Sequence, residues 1–244
     1  MNKFLYNLLI GVSILGMTSC MEIDNFDGPN AHISGRLIDS TTGENYVTDQ
    51  GDTHIRIWEM SYSLNPTPQD MIVMMDGNYN NQKLFAGTYD MLPYNGSYWP
   101  CDTVRNVGIG KNTVQDFTVT PYLKIRDFKT ELKGTTLTMS CRLFAPRTEG
   151  LPMVIEVRPF LSLTQFCGAA NKIDYYHTDA NRISLRRTWD RLGNMQTGEG
   201  ADTYTVSVEL KHGYTYHVRM GANVNDTHQK YNYSEIVTIA VPSE

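Results

Sequence analysis

The chain has 244 residues and a formal net charge of −5, with 41% hydrophobic and 19% charged residues. That length holds one or two domains and can bury a core without metal or disulfide staples. The apolar content is too high for a disordered chain and too evenly spread for a polytopic membrane protein. The mild acidity argues against a nucleic-acid partner, which would need a clustered basic face.

At the N-terminus, Lys3 precedes an apolar run from Phe4 to Leu15 that is too short to span a bilayer, and Met17-Thr18-Ser19 leads into Cys20. The pattern resembles a bacterial lipobox, with Met17 in the place of the commoner Leu. The expectation is a signal peptide over 1–19, lipid attachment at Cys20 and a tether over 20–30 punctuated by Gly28-Pro29. Two or more acyl chains would supply what stable membrane attachment requires. Glu22, Asp24 and Asp27 resemble the acidic export signal of surface lipoproteins in Bacteroidetes, although Met21 and Ile23 interrupt the acids. A plain solvated tether reads the same residues equally well.

Beyond the tether, Thr, Val, Ile and Tyr recur in short alternating stretches bounded by Gly, Asn and Asp, and no amphipathic helix of normal length is present. The expected fold is all-β, two β-sandwich domains in tandem over 31–120 and 121–244. In the first half the expected strands are Ile33 to Leu37, His54 to Glu59, Met71 to Met75 ending in a hairpin at Asp76-Gly77, one that the stretch Leu84 to Tyr89 leads into, and Asn112 to Val119. In the second half, Leu137, Met139, Cys141 and Leu143 alternate with polar residues. One long or two short strands follow between Met153 and Phe166, then another from Thr203 to Leu210. Ser234 precedes a last strand through Ile239.

The ordered elements Asp39-x-x-Thr42-Gly43, Asp76-Gly77-x-Tyr79 and Phe85-Ala86-Gly87-Thr88-Tyr89 resemble the prealbumin-like, or carboxypeptidase-regulatory-like, sandwich. The spacing Leu210-x-x-Gly213-x-x-Tyr216-x-Val218 resembles the tyrosine corner of fibronectin type III domains, whose ring hydroxyl bonds the backbone just upstream. With the lipobox, Val119-Thr120-Pro121-Tyr122 and Tyr231-Asn232-Tyr233-Ser234, the chain resembles two-domain Bacteroidetes lipoproteins of unknown function from polysaccharide-utilisation loci. That resemblance implies a prealbumin-like domain and then a fibronectin III/Ig-like domain held on the outer membrane, facing the cell exterior. It implies a glycan-uptake setting only by association.

No nucleophile or metal motif is present, and the remaining enzymatic alternative is a pair of carboxylates brought together from distant strands. G-x-S-x-G, H-E-x-x-H and P-loop patterns are absent, the six His are scattered, and no Cys/His cluster has metal-ligand spacing. No catalytic residue, metal ligand or cofactor is expected. Cys101, Cys141 and Cys167 read first as simple buried thiols, with a Cys141–Cys167 disulfide as the alternative in an oxidising compartment.

The candidate ligand-binding residues are aromatic. Tyr94, Tyr98 and Trp99 fall in a Gly/Pro-bearing stretch that reads as a loop, where ring faces can stack on sugars while Asn95 and Ser97 supply hydrogen bonds. The competing reading folds Tyr98 and Trp99 back over the sandwich end. Trp189, with Tyr175, Tyr176, Arg182, Arg186, Arg187 and Arg191, forms a second candidate surface for an acidic glycan or a protein; a solvated hairpin face is the competing reading. The expected function is that of a non-enzymatic surface lipoprotein, accessory to glycan binding in polysaccharide uptake. The alternative is a spacer or assembly protein that contacts an outer-membrane uptake complex without touching sugar.

Overall fold

The computed structural model describes residues 28–243. The expected signal peptide, the lipid attachment at Cys20 and most of the tether lie outside the described residues. Apart from three short 3₁₀ turns, the described chain is built from strands, in two tandem domains.

The first domain holds β1 (Ala31–Asp39), β2 (His54–Glu59), β3 (Gln69–Ile72), β4 (Asn78–Leu84), β5 (Gly87–Tyr94), β6 (Val104–Ile109), β7 (Thr113–Val114) and β8 (Phe117–Val119). One sheet centres on β1, with β4 antiparallel on one side and β7 and β8 parallel on the other; the second runs β3-β2-β5-β6, antiparallel throughout. Alternation explains the pairing. Ile33 and Leu37 face Ile55, Ile57 and Met91 across the core, while Arg36, Arg56 and Trp58 point outward and stay partly exposed.

The turn at Asp76-Gly77 departs from the expected hairpin. Gly77 has φ +81°, as a tight turn requires, but β3 and β4 belong to opposite sheets, so the turn carries the chain across the sandwich. A Cβ at Gly77 would lie 2.7 Å from the Tyr46 carbonyl oxygen, so the close approach of segment 45–46 also demands glycine.

The second domain holds β9 (Lys124–Lys133), β10 (Thr136–Phe144), β11 (Val154–Ser162), β12 (Ile183–Arg187), β13 (Glu199–Glu209), β14 (Thr215–Val224), β15 (Tyr231–Tyr233) and β16 (Val237–Ala240). A three-stranded sheet β13-β10-β9 packs on β12-β11-β14, whose outer edge is completed by β15 and β16. This is the strand arrangement of a fibronectin III/Ig-like sandwich. Its tyrosine corner is formed: the Lys211 amide donates to the Tyr216 hydroxyl at 3.2 Å.

Among the described residues the cysteines, Cys101, Cys141 and Cys167, are free thiols. Cys141 lies between the two sheets of the second domain, whereas Cys167 packs with Phe160 and Tyr233 on the opposite face of the β11–β14 sheet. The Cys141–Cys167 disulfide therefore does not form, because a sheet separates the two sulfurs. Burial pushes both thiols up to about 12.

The two domains are joined by buried polar contacts as well as by the chain. Arg219, fully buried on β14, bonds the Thr48 carbonyl at 3.0 Å and Asp49 at 3.3 Å, and its guanidinium lies 3.6 Å from the Tyr233 ring centroid. Lys124 reaches Asp39 and Lys230 reaches Asp52, each at 2.9 Å.

Candidate functional site

The Tyr94–Trp99 stretch begins at the end of β5 and continues through a turn in which Asn95 has φ +69°. Gly96 follows because the ring of Tyr98 folds over it: a Cβ there would fall 1.9 Å from a ring carbon. Tyr98 then pairs in an isolated bridge with Pro121, and the Trp99 amide bonds the Thr120 carbonyl at 2.9 Å. The aromatic loop is thereby zipped to the segment that links the domains. That pairing fixes which way each ring points.

Tyr98 points inward. It is 5% exposed, packs edge-on against Tyr46 at 5.6 Å, and its hydroxyl, held protonated far above its usual range by burial, has no hydrogen-bond partner among the described residues. Of the two readings the sequence left for it, a stacking platform or a ring folded back over the sandwich, the structure takes the second and gives Tyr98 to the core of the first domain. Trp189 is likewise withdrawn, at 2% exposure in the core of the second domain beneath the 3₁₀ turn Trp189–Arg191. Alternation along an extended segment accounts for Tyr98, and packing under a tight turn accounts for Trp189.

Trp99 and Tyr94 stay half-buried. Trp99 leans across the domain junction onto Tyr122, with centroids 5.2 Å apart, and the Arg147 guanidinium lies 4.3 Å from its ring centroid. Tyr94 carries the Arg56 guanidinium 3.7 Å above its ring and the His228 ring edge-on at 5.3 Å. Arg56 is held there by a two-point bond to Asp70 at 2.7 and 2.8 Å, which keeps the Asp70 carboxyl below the ordinary range.

These two rings mark two depressions that share a ridge of Pro93, Pro100 and Cys101. The larger, about 370 Å³, is lined by Trp99 and Arg147 with Asp102, Asp116, Thr118 and Thr120. The smaller, about 190 Å³, is lined by Tyr94 and Asn95 with Asp226 and His228 of the second domain. Asp116 is engaged by Arg36 at 3.3 Å, while Asp102 and Arg147 form no ion pair among the described residues. One ring face, hydroxyls, a carboxylate and a guanidinium thus converge on a groove of small-ligand size. Arg147, Asp102 and Thr118 were not foreseen as lining the groove: Asp102 and Thr118 share the first domain with Trp99, and the docking of the second domain brings Arg147 to it.

Beneath the grooves the loop is anchored by Asn232 of β15. Its side-chain amide donates to the Ser97 carbonyl at 2.8 Å and to the Tyr46 hydroxyl at 3.2 Å, and its oxygen accepts from the Ser97 hydroxyl and the Leu123 amide. The second domain therefore sets the position of a loop that belongs to the first. Among the described residues, no group of three or more His, Cys, Asp or Glu is placed to hold a metal ion.

A tandem pair of β-sandwiches with an aromatic groove at their junction is the class of protein that the fold and the site define. The chain belongs to the DUF3823 family, a family of unknown function: its N-terminal domain matches over 31–120 and its C-terminal domain over 123–238. Comparison with curated proteins gave no match. Among solved structures, a Bacteroides uniformis protein described as a "putative carbohydrate binding protein" is 26% identical, with TM-score 0.73, covering 87% of this chain and all of that one. A DUF3823 family protein from the same species (21% identical, TM-score 0.71, 88% of this chain and all of that one) shares the fold. So does one from Parabacteroides merdae (20%, 0.62, 87% and all).

Proposed function

We propose that this protein is a non-enzymatic lipoprotein of the outer membrane, facing the cell exterior, that binds glycan at the Trp99 groove as an accessory to polysaccharide uptake. The observation that carries the reading is the position of Trp99: partly buried, yet lining a groove of about 370 Å³ with Asp102, Thr118, Thr120 and Arg147 in the same wall. Apolar ring contact with the C–H face of a sugar and flanking hydrogen bonds are the chemistry of weak, selective glycan capture, at micromolar to millimolar affinity. The description of the Bacteroides uniformis relative supports the same class of ligand. The lipobox at Met17 to Cys20 supports the location.

The test is a polysaccharide array probed with the purified protein and with Trp99→Ala. The expected result is binding that falls at least tenfold in the variant, measured at a temperature where circular dichroism shows it still folded, since losing the Trp99 contact with Tyr122 lowers its melting temperature. Absence of any binding, or binding that Trp99→Ala leaves intact, removes the proposal. Anchoring is checked separately by labelling cells with an alkyne fatty acid: the label is expected on the parent and lost in Cys20→Ser.

A second reading, a spacer or assembly protein that never touches sugar, draws on the burial of Tyr98 and Trp189, which leaves the aromatic surface smaller than the sequence promised.

A further inference from the structure

A cavity larger than either aromatic groove lies away from Trp99. It is a depression of about 790 Å³ between the domains that shares no lining residue with either aromatic groove. Its walls come from Val47, Ile72, Met74 and Met75 of the first domain and Phe166 and Ile236 of the second. Four of these are large side chains left open to solvent: Val47 41% exposed, Ile72 56%, Met74 47% and Phe166 46%. Single exposed apolar residues need no explanation, but a contiguous concave set does. The methionines give the wall an adaptable surface able to repack around different apolar shapes.

The charge at the rim is of one sign. Asp76 and Glu235 line the depression and are exposed, and neither forms an ion pair among the described residues. The one cation in the lining, Arg219, is fully buried and already held by Asp49 and the Thr48 carbonyl. An occupant therefore meets an apolar floor and two carboxylates with no competing free cation. An acidic or phosphorylated partner would be repelled, and the polar neutral groups of the lining, the Gln50 and Gln165 amides, leave the carboxylates uncompensated.

We infer that this cleft is a docking site for a protein segment that presents two or more large apolar side chains next to Lys or Arg. The apolar side chains fill the wall between Ile72, Met74 and Phe166, and the basic residue answers Asp76 and Glu235. The inference stands whether or not the Trp99 groove binds glycan, because the two sites share no side chain.

The experiment selects binders from a displayed library of random twelve-residue peptides against the purified protein, then measures the enriched peptides by fluorescence polarisation. The expected enrichment is in sequences with clustered Leu, Ile, Phe or Met adjacent to Lys or Arg. Their affinity is expected to drop at least tenfold in Ile72→Asp, and about fivefold in the Asp76→Asn, Glu235→Gln pair, the size expected for exposed ion pairs. Ile72 is exposed, so its substitution leaves the core intact; Met74→Asp provides an independent variant if Ile72→Asp proves unstable. No enrichment, enrichment of acidic sequences, or binding unaffected by both Ile72→Asp and Met74→Asp overturns the proposal. Sedimentation that shows a dimer broken by Ile72→Asp also overturns it, by assigning the cleft to a second copy of the chain.

Discussion

His177 illustrates how much a single position can report about its surroundings. Its ring packs at a tilt on Phe160, centroids 5.2 Å apart, and its Nδ1 is buried without a partner among the described residues. Burial first, and then the positive charges of Arg158 and Lys172, hold its pKa down to about 4 from an ordinary 6.5. In the unfolded chain the imidazole takes up its proton as pH falls through 6.5, while the folded protein resists until about 4. Between those values the unfolded state binds more protons, so stability falls as pH falls across that window. The expected outcome is a melting temperature that declines from pH 6.5 to pH 4 in the parent and declines less in His177→Phe. Nearby Glu156 acts lower down. Burial alone would raise its pKa, but the Tyr231 hydroxyl and the Arg158 and Arg182 guanidinium groups outweigh burial and hold it below 4.5. Its contribution is therefore kept at neutral pH and lost only as pH falls through that depressed value.

At the scale of elements, the tyrosine corner is the piece whose sequence spacing translated directly into a bond. The turn at Gly213 has φ +75°, the Tyr216 ring is buried, and its hydroxyl receives the Lys211 amide. Tyr216→Phe keeps the ring and removes the acceptor, so the second domain is expected to lose about 1–2 kcal/mol, measured by urea denaturation. Strands with one buried face were legible in the same way. The expected His54 to Glu59 matches β2 residue for residue, and the Leu137 to Leu143 alternation lies within β10. What escaped the sequence was strands without a clean inner face. β4 reads Asn-Tyr-Asn-Asn-Gln-Lys-Leu and buries only Tyr79 and Leu84, and β9 buries no side chain fully. A two-residue period cannot show where both faces meet water. The site was half legible for a related reason. The run of aromatics was visible, but Tyr98 and Trp99 are neighbours that must point opposite ways, and which one turns inward is decided by the bridge to Pro121.

On the scale of the whole molecule, the junction behaves as a third core built from polar groups. Arg219 and Asp49 are 0% and 1% exposed and come from different domains, with Asp49 also accepting from the Ala170 amide at 2.7 Å. Burial works to lower the Arg219 pKa, and the neighbouring Asp49 and Tyr233 oppose it. Removing one member leaves the other charge stranded in a dry interface. Arg219→Ala is expected to cost about 3–5 kcal/mol, and the paired Arg219→Met, Asp49→Leu variant distinctly less, measured by thermal and denaturant melts. The two aromatic grooves and the apolar cleft all open along this junction, so its geometry sets the shape of each.

Trp99 is encoded in the first domain and packed into the second, against Tyr122 and Arg147. The covalent boundary near residue 120 and the packing boundary are therefore different lines. A fragment cut at the covalent boundary would leave the second sandwich with a bare notch where the indole sat, and the first with an unmoored aromatic arm. Two such fragments are built to find each other again, as a split protein does, with the indole returning to its notch as the signal of reassembly.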